Sequence, residues 1–170
     1  MAKFRVIRWF AYVIEILVLF VLQETPGLIP ELGGARPLLV IPAVLAVAMF
    51  ESEIPAMCFG LFGGLLVDFG FGGMFGFHGL LLAAACYGVS LIAANLVRTN
   101  FLTAMLVSVI VTAAVTALDW ACFYVMYGYG EVLYALTAHY VPIFLYTAAL
   151  MPLTYYFNRA LALQIRSKEE

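Results

Sequence analysis

The stretch GLFGGLLVDFGFGGMFGFHG, Gly60 to Gly79, is nearly all apolar and crowded with glycine, yet it holds one carboxylate, Asp68, and one imidazole, His78. Gly60, Gly64 and Asp68 are spaced by four, so at about 3.6 residues per turn they share one helix face. Glycine on such a face lets another backbone approach closely, the small-xxx-small device of membrane helix packing. Gly72 and Gly76 continue the spacing, but Gly70, Gly72 and Gly73 weaken a helix and readily supply positive φ angles. The stretch therefore predicts a tightly packed helix, a glycine turn and a new helix. An anion-binding nest in that turn is the alternative, with Arg36 and His78 as its nearby basic groups.

The rest of the chain fits that reading. Of its 170 residues 66% are hydrophobic and 11% charged, with a mean hydropathy of +1.07, where a soluble domain has about 25% charged residues. Apolar runs recur to the C-terminus between short polar breaks, which predicts one integral membrane domain over 1–170. Hydropathy places helices near 6–22, 38–50, 54–69, 79–97, 101–127 and 131–157, an all-α polytopic membrane protein of about six transmembrane helices. The runs are long and lack alternation, so helices are preferred to barrel strands. The first run reads as a retained helix because no small-residue cleavage site precedes Gln23. The 38–50 run is short against the roughly 20 residues a crossing needs, so it either extends back through Arg36 and Pro37 or locally thins the bilayer.

Sidedness follows from the basic residues. Six crossings with both termini in the cytoplasm put Lys3, Arg5, Arg8, Arg98, Arg159, Arg166 and Lys168 inside and Arg36 alone outside. That asymmetry is what the positive-inside rule requires.

Each intramembrane polar residue has a structural and a functional reading. Arg36 and Asp68 are expected at one membrane level, as an internal ion pair or as a docking point for a partner. Glu15 lies mid-run in the first helix, with Arg8 and Tyr12 on its face. It reads as a neutral, hydrogen-bonded acid, an inter-subunit hydrogen bond or a proton relay. Asp119 and His139 each lie ten residues from Tyr129, hence at similar depth, where they bond to each other or line an outward-facing cavity. Cys58, Cys86 and Cys122 stand alone in apolar surroundings and read as packing residues. No GxSxG, HExxH or P-loop motif occurs, and no basic patch for nucleic acid, so no catalytic residue, metal or cofactor is expected.

The run from Gly60 through Gly64 and Asp68, continuing as FGFGGMFGFHGLLLAAACYG, resembles the signature of the rod shape-determining MreD family. In that family a small-residue helix ends in an aspartate, then a glycine turn and a new apolar helix follow. ARPLLV, Ala35 to Val40, is similar to the family's basic-proline lead-in to its second helix, here Arg36 and Pro37. Departures fall at Leu38, often polar in relatives, and at Phe69 to Phe71, often small or hydroxylated. The resemblance implies a non-enzymatic scaffold in the bacterial cytoplasmic (inner) membrane that binds MreC. Through that complex it would meet the MreB filament, RodA and the penicillin-binding transpeptidase. Arg36, Pro37, Gly60, Gly64, Asp68, Gly72 and Gly76 would then be fold and interface determinants. The family's fold is also similar to the membrane substrate-binding component of energy-coupling factor vitamin transporters. On that alternative Glu15, Asp119 and His139 become ligand-site residues.

Overall fold

The computed structural model describes residues 2–31, 35–71, 74–95 and 101–166, apart from the side chains of 2, 3, 71, 165 and 166. These residues are almost entirely helical. α1 is Ala2–Glu24, α2 Val40–Phe50, α3 Glu53–Phe71, α4 Phe77–Asn95 and α5 Phe101–Trp120, with a π-helical end at Ala121–Val125. α6, Val132–Ala135, continues through a π-helical segment, Leu136–Tyr140, into α7, Val141–Arg166. Five helical runs are long and apolar enough to cross a membrane, and α2 is the shorter sixth. The chain is a multi-pass membrane protein, as the hydropathy predicts.

The helices alternate in direction, so the start of α1 and the end of α7 lie at one end of the bundle, here the terminal end. The α3–α4 turn, the start of α2 and the end of α5 lie at the other, the turn end. Arg5, Arg8 and Arg159 belong to the terminal end and Arg36 to the turn end. Lys168 and Arg98 lie outside the described residues.

The length of α2 has a cause other than bilayer thinning. Val40 to Met49 are all buried, and α2 touches α1, α3, α4, α5 and α7. A helix sheathed by protein need not match the hydrocarbon thickness, because its ends and its lead-in can be satisfied by neighbouring side chains. Its helical form does not extend back through Arg36 and Pro37. The Leu38 N–H donates to Thr147 Oγ1 at 3.0 Å and the Val40 N–H to Gln23 Oε1 at 3.4 Å. These side chains from α7 and α1 take up donors that the start of a helix leaves free. At its other end, the Ser90 hydroxyl of α4 donates to the Glu51 carbonyl at 2.8 Å.

The glycine face of α3 is used inside the bundle. A Cβ on Gly64 would lie 2.6 Å from the Gly79 Cα and closer still to the His78 carbonyl oxygen, and one on Gly60 would lie 2.9 Å from Cys86 Sγ. α3 and α4 thus meet backbone to backbone. Gly63 turns the other way, where a Cβ would lie 2.5 Å from Val44 of α2. Gly76 has φ +99°, the left-handed conformation that the turn into α4 demands. Gly72 lies outside the described residues. By contrast Val6, Phe10, Leu17 and Val21 of α1 and Leu145 and Leu153 of α7 are exposed, as a lipid-facing surface requires.

Candidate functional site

At the turn end, Asp68 answers the question of why an acid sits in so apolar a run. α4 begins with backbone N–H groups that have no partner in their own helix. Asp68 Oδ2 accepts from the Gly76 N–H at 2.8 Å and the Gly79 N–H at 3.1 Å, while Oδ1 accepts from the His78 N–H at 3.0 Å. The last residue but three of α3 is therefore the N-terminal cap of α4, and its charge meets the positive end of that helix dipole. The His78 side chain adds a fourth bond, Nδ1 to Oδ1 at 2.8 Å. Its other nitrogen, Nε2, lies 3.2 Å from Asp119 Oδ1. One imidazole thus bridges two carboxylates and ties α3, α4 and α5 together, with its ring parallel to that of Phe123 at 6.3 Å.

This geometry corrects two expected pairings. Arg36 does not meet Asp68: its guanidinium pairs with Glu31, Nε to Oε1 at 2.7 Å, with both side chains nearly half exposed. Sequence proximity of five residues supplied a nearer acid than the facing helix did. Arg36→Gln is therefore expected to change stability by under about 1 kcal/mol, as for other wet surface pairs. A thermal shift comparable to that of an Asp68 variant would contradict this.

Asp119, in turn, bonds to His78 rather than to His139. The two residues reach one cavity at similar depth but on different azimuths, and His139 itself lies within a π-helical segment. A π turn inserts a residue and so rotates the following face by roughly 100°. The second π segment ends two residues before Pro142, whose ring and missing N–H disfavour regular α geometry there. His139 is exposed and stacks edge-on against Tyr140. Asp119 and His139 do line one cavity of about 280 Å³, with Leu38, Ile41, Val115 and Ile143 as apolar wall.

The remaining polar groups lie elsewhere. Glu15 Oε1 accepts from Asn158 Nδ2 at 2.7 Å, a bond between α1 and α7 at mid-bundle, away from that cavity. Its expected neighbours go their own way: Arg8 pairs with Glu51 at 2.6 Å, and the Tyr12 ring packs edge-on against Phe59. Trp9 Nε1 also donates to Glu51, at 3.2 Å, so the α2–α3 corner is locked to α1. The sequence singled out His78 but not its bridge between Asp68 and Asp119, and it did not single out Glu51 as the partner of Arg8. Asking which acceptors serve the start of α4, and which acid serves a buried arginine, would have pointed to both. Pro37 is buried in the extended lead-in to α2. Among the described residues no cluster of three or more His, Cys, Asp or Glu is placed to hold a metal ion.

Neither a curated protein nor a solved structure matches the chain significantly. A family model does, that of the rod shape-determining protein MreD, over residues 3–162. With nearly the whole chain covered, this protein belongs to the MreD family, and its role lies in rod shape determination.

Proposed function

We propose that the chain is a non-enzymatic scaffold of the bacterial cell-elongation machinery, lying in the cytoplasmic membrane with both termini in the cytoplasm. It binds MreC and, through that complex with MreB, RodA and its penicillin-binding transpeptidase, helps position the peptidoglycan synthases. The observation that carries this reading is the family match across residues 3–162. Sidedness draws support from Arg5, Arg8 and Arg159 at the terminal end against Arg36 at the other. The polar groups favour assembly over turnover, since Asp68, Glu15 and Glu51 each hold one helix to another.

Co-expression with tagged MreC tests the proposal. The expected result is a complex that survives detergent extraction, with cysteines placed near either terminus reacting only from the cytoplasmic side. Saturable binding of a vitamin in calorimetric titration, without MreC capture, would replace the scaffold by the transporter-component reading. A terminus labelled from outside would overturn the sidedness.

A further inference from the structure

We propose that the cavity between α2, α5 and α7 at the turn end is a socket for one basic side chain, a lysine or arginine, of a protein partner's segment lying along the turn end. The inference rests on the scaffold reading, since it names how that partner is held.

The cavity has a charged floor and an apolar sleeve. Asp68, His78 and Asp119 form the floor, and Leu38, Ile41, Val115, Phe123 and Ile143 are in the wall. Both nitrogens of His78 face carboxylate oxygens, Nδ1 that of Asp68 and Nε2 that of Asp119. Two carboxylates around one imidazole leave the cluster net negative whichever way the ring is protonated. Asp68 is spent on the backbone of α4, whereas the Asp119 side chain is 21% exposed. Asp119 therefore presents that charge to the cavity.

The shape points the same way. About 280 Å³ is at the low end for a ligand pocket and suits a single long side chain rather than a whole lipid. A lysine or arginine stem would lie on the apolar sleeve while its head reaches Asp119. The two π-helical segments both contribute to this cavity, through Phe123 on one side and His139 and Tyr140 on the other. Such segments recur at functional sites because they sacrifice regular packing.

The surroundings argue against an aminophospholipid. Its ammonium stands beside a phosphate, which needs a cation of its own. The adjoining groove, which shares Leu38, His139 and Ile143 with the cavity, carries Glu24 and Glu31, and its Arg36 is already paired with Glu31. This rim repels phosphate and attracts a basic segment.

The test measures affinity between the full chain and full-length MreC, both purified, in nanodiscs. If the wild-type chain captures nothing, the scaffold reading fails, and the socket with it. If the wild type binds, Asp119→Asn is expected to weaken binding at least tenfold, with partial recovery in Asp119→Glu. Replacing each lysine and arginine beside the partner's span by glutamine should reproduce the loss at one position, and that variant should lose nothing further against Asp119→Asn. Ile143→Trp, which fills the sleeve without touching the floor, should weaken binding alike and stands in if Asp119→Asn does not fold. Unchanged affinity in Asp119→Asn or Ile143→Trp overturns the socket while leaving the scaffold intact. So does Asp119-dependent stabilisation by phosphatidylethanolamine over phosphatidylcholine discs with partner affinity unaffected, which would assign the cavity to lipid.

Discussion

Asp68→Ala is expected to lower the stability of the bundle by about 3–5 kcal/mol, the loss seen when one partner of a buried charged pair is removed. The substitution strips the Gly76, His78 and Gly79 N–H groups of their acceptor and removes the carboxylate beside His78 Nδ1. Asp68 is 3% exposed, so the donors it serves are buried in the folded bundle. In thermal unfolding of the detergent-solubilised protein the midpoint should fall by on the order of 10 °C, on the scaling for chains of this size. Asp68→Asn should fall between, since it keeps one oxygen acceptor but turns an amide N–H₂ toward backbone donors. A midpoint in Asp68→Ala within a few degrees of wild type would mean that the start of α4 is satisfied by other groups.

Gly64→Leu is expected to be at least as damaging, by a different route. The added side chain meets backbone of α4, at the His78 carbonyl and the Gly79 Cα, rather than the flexible end of a neighbour. Backbone cannot rotate aside, so α3 and α4 must separate along their contact, breaking the Asp68 bonds at the same stroke. Overpacking in a core costs about 1–3 kcal/mol where side chains can repack, and more is expected here. Gly63→Leu strikes α2 instead, through Val44 and Val40. Gly88, where a Cβ meets nothing within 4 Å, provides the control, since Gly88→Leu should express and melt nearly as wild type. Normal yield and melting of Gly64→Leu would show that the α3–α4 contact is looser than described.

The contrast between these glycines and the charged residues shows what a sequence of this kind discloses. Helix positions were legible because bilayer burial writes itself into hydropathy: the expected 79–97 run is α4 at Phe77–Asn95, and 54–69 is α3 at Glu53–Phe71. The close-approach face of Gly60 and Gly64 was legible too, since small residues at every fourth position have one main use in a membrane helix. Its partner was not. Spacing says that a backbone comes near, and only the fold says that it is α4, which leaves the face filled rather than open to another protein. Polar pairing was the least legible. Depth can be counted along a helix, but Asp119 found His78 and Arg36 found Glu31 through azimuth and local reach. The demand of the α4 N-terminus for an acceptor was readable in principle, because helix starts always leave donors to be met. The π-helical segments were announced only by Pro142 and, in α5, by nothing that hydropathy records.

Asp68 acts inside the fold, as the cap of α4 and the anchor of His78. Double-mutant cycles on unfolding free energy test it directly, pairing Asp68→Asn once with His78→Gln and once with Arg36→Gln. The expected result is a coupling above about 1 kcal/mol for the His78 cycle and additivity within about 0.5 kcal/mol for the Arg36 cycle. Strong coupling between Asp68 and Arg36, with none between Asp68 and His78, would contradict it.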